Sequence, residues 1–249
     1  MKRFLTFLFT MAAVASADAA GRSVTYEVDG AAYEGYYIRA GAKAPLVLII
    51  HDWNGLDDYE IRRSRMLAEL GYSVFAADLF GAGVRPAATE EKRRLTTELY
   101  GNREKMRSLI AGALEKARSL GADTGNAVIM GYCFGGAAAL EFARSGAELK
   151  GFATFHGGLS TPEGQDYSKT RGRLLIMHGT ADSVVSMDDF ASLARTLEKS
   201  GVSHEMITYS GAPHAFTVFG AESYREDADR KSWRRFTEFL AEALKQTPD

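Results

Sequence analysis

"AVIMGYCFGGAAALEFARSG", residues 127–146, contains an apolar run, a turn of Gly-Tyr-Cys-Phe-Gly-Gly, and a helix-forming stretch that ends on a glycine. The apolar run has strand length and no alternation, which is expected of a strand covered on both faces. The alanine-rich stretch after it is a strong helix former, and Gly146 suits the left-handed position just past a helix end. Residues 127–146 are therefore read as a buried strand turning sharply into a helix, the repeating unit of a parallel α/β sheet. Cys133, the only cysteine in the chain, stands at the turn.

The same alternation runs outward in both directions. "PLVLIIH" (45–51), "YSVFAADLF" (72–80), "KGFATFHG" (150–157), "RLLIMHG" (173–179) and "HEMITYSG" (204–211) read as further strands. Helical spacing separates them. In "EIRRSRMLAEL" it places Ile61, Met66, Leu67 and Leu70 before Gly71, and "RSLIAGALEKARSLG", "DDFASLARTLEKSG" and the closing "SWRRFTEFLAEALK" follow suit. Near the start, "SVTYEVDG" and "AAYEGYYIRAG" flank Asp29-Gly30, a hairpin turn signal. The expected fold is a mostly parallel sheet with helices on both faces and an antiparallel N-terminal hairpin, forming one domain over residues 20–249. No repeat, low-complexity segment or linker interrupts it. Residues 81–104 have the weakest pattern and are expected to form a mobile cap or a wall over a site.

With 30 basic and 32 acidic residues among 249, the formal charge is −2. This offers no electrostatic attraction to nucleic acid or an anionic membrane surface. The N-terminus differs from the rest. Lys2 and Arg3 precede the apolar "FLTFLFTMAAV", and the small residues "ASADAA" follow. This is the plan of a cleavable secretory signal peptide over residues 1–19, with Ala17 or Ala19 as its last residue. Cleavage after Ala19 would remove Lys2, Arg3 and Asp18, leaving 28 basic and 31 acidic residues and a charge of −3. The run is short for a membrane span, and no cysteine sits at the cleavage site to carry a lipid anchor. The expected location is periplasmic or secreted.

The frame around Cys133 is G-x-C-x-G-G. It corresponds to G-x-S-x-G, the nucleophile elbow of α/β-hydrolases, with cysteine replacing serine. The glycines allow the chain to double back, and the turn displays its side chain at a helix N-terminus, where the dipole favours a thiolate. In this fold an acid and then a histidine follow on loops after later strands. Asp182 follows "LLIMHG" and His214 follows "EMITYSG", so both leave the sheet at the same edge as Cys133. The candidate roles are nucleophile for Cys133, general base and acid for His214, and orienting carboxylate for Asp182. An oxyanion hole needs two backbone amides, and the candidates are Phe134, which follows the nucleophile, and Trp53, in the loop after "LIIH".

The set "HDWNGLDDY", "FAADLFG", "GYCFGG", "FHGGL", "HGTAD" and "PHAFT" resembles the dienelactone hydrolase family, from about Pro45 to the final helix. The resemblance implies a cysteine-using α/β-hydrolase with Cys133, Asp182 and His214 as triad, and the Trp53 and Phe134 amides as oxyanion hole. It also implies an acid beside the resting thiol. The matching residue is Asp52, where family members usually carry Glu. Dienelactone-cleaving members hold a substrate carboxylate with two arginines, and this chain has Ala82 and Val218 at those places. Arg85 is the nearest substitute. The expected substrate is therefore a small ester or lactone other than an acidic dienelactone.

His51, Phe80, Arg85 and His156 are candidate pocket residues, although strand-end histidines such as His51, His156 and His178 more often bond loop carbonyls. His204 opens a strand and is expected to be exposed. No H-E-x-x-H spacing points to a metal, and no G-x-G-x-x-G opens the first βα unit, so neither metal nor cofactor is expected. Two other readings exist: a silent hydrolase-fold binding protein, and a redox role for Cys133 through a sulfenic acid, which would need a thiol from elsewhere.

Overall fold

The computed structural model describes residues 21–244, so the expected signal peptide lies outside the described residues. The strands are β1 (Arg22–Val28), β2 (Ala31–Ile38), β3 (Pro45–Ile50), β4 (Ser73–Ala77), β5 (Asp123–Tyr132), β6 (Gly151–Phe155), β7 (Arg173–Gly179) and β8 (His204–Tyr209). The helices are α1 (Asp58–Glu69), α2 (Thr89–Gly101), α3 (Arg103–Ser119), α4 (Phe134–Arg144), α5 (Met187–Ser200) and α6 (Glu226–Ala243). The strands form one eight-stranded sheet in the order β1-β2-β4-β3-β5-β6-β7-β8. From β4 to β8 every neighbouring pair is parallel; β1 and β2 are antiparallel, and β2 runs antiparallel to β4.

The two-residue alternation of strand side chains explains why the apolar runs are continuous. In β3, Leu46, Leu48 and Ile50 enter the core beneath α3, α4 and α5, while Val47 and Ile49 enter the core beneath α1 and α6. All five are fully buried, so this strand alone contributes roughly 10 kcal/mol of apolar burial as an upper estimate. Asp29 and Gly30 turn the β1–β2 hairpin at φ of 51° and 77°, the left-handed pair that a two-residue hairpin requires.

Two segments differ from the expectation. Residues 81–104 are largely helical, forming α2 and the start of α3, separated by Asn102, which caps α3. Leu95 and Leu99, one turn apart, face inward, while the abundant charges on the outer face obscure that stripe in the sequence. The closing helix starts at Glu226 rather than near Ser232, and its first turns bury only the small Ala228 and a charged residue, so no apolar stripe marks them. That residue is Asp229, which meets Arg63 of α1 at 2.5 Å; the Arg63 side chain is 1% exposed. Arg63 also donates to the carbonyl of Thr217, three residues past His214, at 2.9 Å. Arg63→Met leaves a buried carboxylate without its cation and should lower unfolding stability by about 3–5 kcal/mol in urea denaturation.

Candidate active site

β5 ends at Tyr132, and α4 begins at Phe134 with Cys133 as its N-cap at φ 51°, ψ −113°. A β-carbon on Gly131 would overlap the backbone of Gly135, and one on Gly135 would overlap the carbonyls of Ile50 and His51. Only glycine lets the chain reverse this tightly. Cys133 donates its amide to the carbonyl of Phe155 at 3.1 Å, which ties the turn to β6. Its thiol is left half-buried at the C-terminal edge of the sheet.

The loops after β7 and β8 bring the other two candidates to the thiol. His214 Nε2 lies 3.1 Å from Cys133 Sγ, and His214 Nδ1 lies 2.8 Å from Asp182 Oδ2. The other Asp182 oxygen accepts the amides of Val184 and Val185 at 2.8 and 2.9 Å. Burial alone would lower the His214 pKa. The Asp182 carboxylate and the Cys133 sulfur outweigh it and push it up to about 10. Asp182 moves the other way: burial opposes its charge, but the bonds from His214, Val185 and Val184 hold it below the usual carboxylate value. Among the described residues, four non-glycine residues have positive φ, and three of them surround this site: Cys133, His156 (41°) and Ala215 (59°).

Among the described residues, neither Trp53 N–H nor Phe134 N–H donates to a protein group. Asp52 is 7% exposed, and its bonds run to Asn54: Oδ1 accepts the Asn54 amide at 2.6 Å and Oδ2 the Asn54 side chain at 3.0 Å. The contact of Cys133 Sγ is with His214 and not with the shorter acid. Burial and the nearby Asp57 raise the Asp52 pKa to about 6, against the opposing pull of the Asn54 amide, Lys92 and His214.

The four pocket candidates divide. Phe80 is half-buried and packs on His51 and Phe134, at ring separations of 4.6 and 5.7 Å. His51 is fully buried and serves the backbone, with Nδ1 at 2.6 Å from the Asp52 carbonyl and Nε2 accepting the Leu79 amide at 3.0 Å. His156 is also fully buried, its Nε2 sharing a hydrogen bond with Thr217 Oγ1 at 2.8 Å and its ring edge-on to His214. Burial is the main cause that lowers the pKa of both histidines. Arg85 donates to the Val84 carbonyl at 2.8 Å and reaches Glu34 at 3.5 Å. His178 is buried and stacked on Phe190, and His204 caps its own loop through the Val202 carbonyl. No cluster of metal-ligating side chains occurs among the described residues, nor any helix long and apolar enough to cross a membrane.

Helix α2 supplies residues that the sequence reading missed. Tyr100 packs edge-on against Phe134 at 5.5 Å, and Lys92 Nζ lies 2.7 Å from Asn54 Oδ1 and 5.4 Å from the centre of the Trp53 ring. The Leu95–Leu99 spacing is the signal that could have placed both on a helix flanking the site.

The model of the dienelactone hydrolase family aligns with residues 33–244. The chain belongs to the dienelactone hydrolase family. It is thus a hydrolase of the ester and lactone class, acting on small molecules. Among solved structures, m3DLH is 30% identical, covering 91% of this chain and 99% of its own at a TM-score of 0.85. A dienelactone hydrolase-like promiscuous phosphotriesterase from metagenomic libraries is 26% identical, covers 91% and 99%, and has a TM-score of 0.83. The usf protein of Aquifex pyrophilus is 24% identical over 230 residues, which is 90% of this chain and 99% of that protein.

The opposite shifts of His214 and Asp182 set a pH dependence. The stabilisation from raising His214 is fully present below its unfolded value of 6.5 and is lost as pH rises through about 10. That from lowering Asp182 is present above 3.8 and is lost as pH falls through its folded value. The stability advantage of wild type over Asp182→Asn should therefore be greatest between about pH 4 and 6.5 and shrink toward pH 10, as read by urea unfolding across that range.

Proposed function

We propose that this hydrolase cleaves small neutral carboxylic esters or lactones through a Cys133–His214–Asp182 triad and a thioester acyl-enzyme. The observation that carries the reading is the unbroken line from Asp182 Oδ2 through His214 to Cys133 Sγ, at 2.8 and 3.1 Å. His214 takes the thiol proton as sulfur attacks the acyl carbon, and the carbonyl electrons move onto oxygen, where the Trp53 and Phe134 amides receive them. Collapse expels the alkoxide, which leaves with the proton from His214. Water, deprotonated by His214, then attacks the thioester and releases the acid and the thiol. Asp182 holds the imidazole in the tautomer this needs and stabilises its charged form.

A neutral substrate is favoured because Ala82 and Val218 occupy the places of the family's carboxylate-binding arginines, and Arg85 is engaged by Val84 and Glu34. We further propose that the mature protein is a single hydrolase domain beginning near Ala20, exported after removal of residues 1–19. The basic, apolar and small-residue segments of the N-terminus support this.

Short-chain p-nitrophenyl esters and a lactone panel test the reading. Cys133→Ala and His214→Ala should abolish turnover. Asp182→Asn should reduce kcat by up to about 10⁴-fold while leaving the acyl-enzyme detectable by mass spectrometry. A wild-type protein that turns over none of these substrates, with a thiol alkylating no faster than a free model thiol, would instead make it a binding protein on a hydrolase fold.

A further inference from the structure

The acid that the family places beside the thiol has a different set of partners in this chain. Both Asp52 oxygens accept bonds from Asn54, at 2.6 Å from its amide and 3.0 Å from its side chain. The bonds close around the residue between them, Trp53, in the side-chain-to-backbone turn that Asp favours. Asn54 is held in its turn from outside the loop: Lys92 of α2 donates to Asn54 Oδ1 at 2.7 Å, which fixes the amide with its NH₂ toward Asp52. The same ammonium lies 5.4 Å from the Trp53 ring centre. At the other end His51 Nδ1 binds the Asp52 carbonyl at 2.6 Å, and His51 Nε2 anchors on the Leu79 amide. The loop's own backbone adds little, a single Gly55-to-Asp52 bond stretched to 3.5 Å.

We propose that Asp52, Asn54 and Lys92 form a clamp that sets the Trp53 amide as an oxyanion donor, so that Asp52 acts on the loop rather than on the thiol. The inference rests on the triad reading above for its catalytic meaning. Three arguments favour it. The carboxylate already has a donor on each oxygen, while Cys133 Sγ is partnered by His214. Aspartate is one methylene shorter than the family's glutamate, the length suited to a bond two residues along its own chain. Lys92 supplies the positive charge that a buried carboxylate needs, and it comes from α2, so the clamp binds the oxyanion loop to the wall of the site. These are positioning residues; none touches the reacting atoms.

The two roles separate experimentally, because thiol alkylation involves no oxyanion and ester turnover does. Lys92→Met and Asn54→Ala should lower kcat about 10- to 100-fold with KM within about twofold. The rate and pH profile of Cys133 alkylation by iodoacetamide should stay unchanged, and Lys92→Arg should restore most of kcat. Amide hydrogen exchange over residues 52–55 should accelerate in Lys92→Met and return toward wild type in Lys92→Arg. A shifted alkylation profile in Lys92→Met would overturn the proposal in favour of action on the thiol. Unchanged exchange in residues 52–55 would overturn it too. If the wild type turns over no ester, the triad reading fails by itself, and the exchange data still decide whether the clamp exists.

Discussion

Neither Gly131 nor Gly135 has room for a β-carbon, and the geometry of the site follows from that single steric fact. Because Gly131 lies against the Gly135 backbone, β5 can turn into α4 within one residue. Because Gly135 lies against the carbonyls of Ile50 and His51, the first turn of α4 rests on the end of β3. The Cys133 amide bond to Phe155 then fastens the elbow to β6. Three neighbouring strands are thereby held at the spacing that exposes one sulfur atom. A methyl group at either glycine would push the helix off the sheet, and the thiol would move with it.

Among the described residues, positive-φ strain at non-glycine positions gathers around Cys133 and His214. Cys133, His156 and Ala215 each hold a conformation that side-chain-bearing residues rarely adopt, and each lies in or beside a loop of the site. Such strain persists only where the surroundings over-determine it. Here the surroundings are buried polar networks: Thr217 joins Tyr59 and His156, and Arg63 joins Thr217 to Asp229. On the other face, Glu141 of α4 is fully buried among Arg103, Arg107 and Arg144. Helix α4 is thus tied to α3 through the two arginines that meet Glu141.

Much of this was legible in the sequence, and the reasons differ by element. The strands of the parallel sheet announce themselves because burial on both faces leaves no polar alternate positions, as in "PLVLIIH". The hairpin is readable because Asp29-Gly30 can turn left-handed. The order Cys133, Asp182, His214 is readable because each follows a strand of the same sense. Other features were hidden because they depend on partners far along the chain. Arg63 looks like one more surface cation in "EIRRSRMLAEL", yet its counter-ion lies 166 residues away. His51 sits beside the site in sequence but spends both ring nitrogens on backbone bonds, and His156 spends Nε2 on Thr217. The orientation of Asp52 depends on Asn54 and Lys92, and Lys92 belongs to a helix whose charged face conceals its apolar stripe.

The proposed triad is distributed across the sheet from its centre to its rim. Cys133 leaves β5, which is flanked by β3 and β6, whereas His214 follows β8, which closes the sheet and pairs with β7 alone. Most of β8 is only partly buried, so it has fewer apolar contacts to resist opening than the fully buried β3. Fraying at that border would carry the imidazole away while the sulfur stays in place on the central strand. Displacement of that border strand would move His214 while leaving the β5–α4 elbow and the central strands in place.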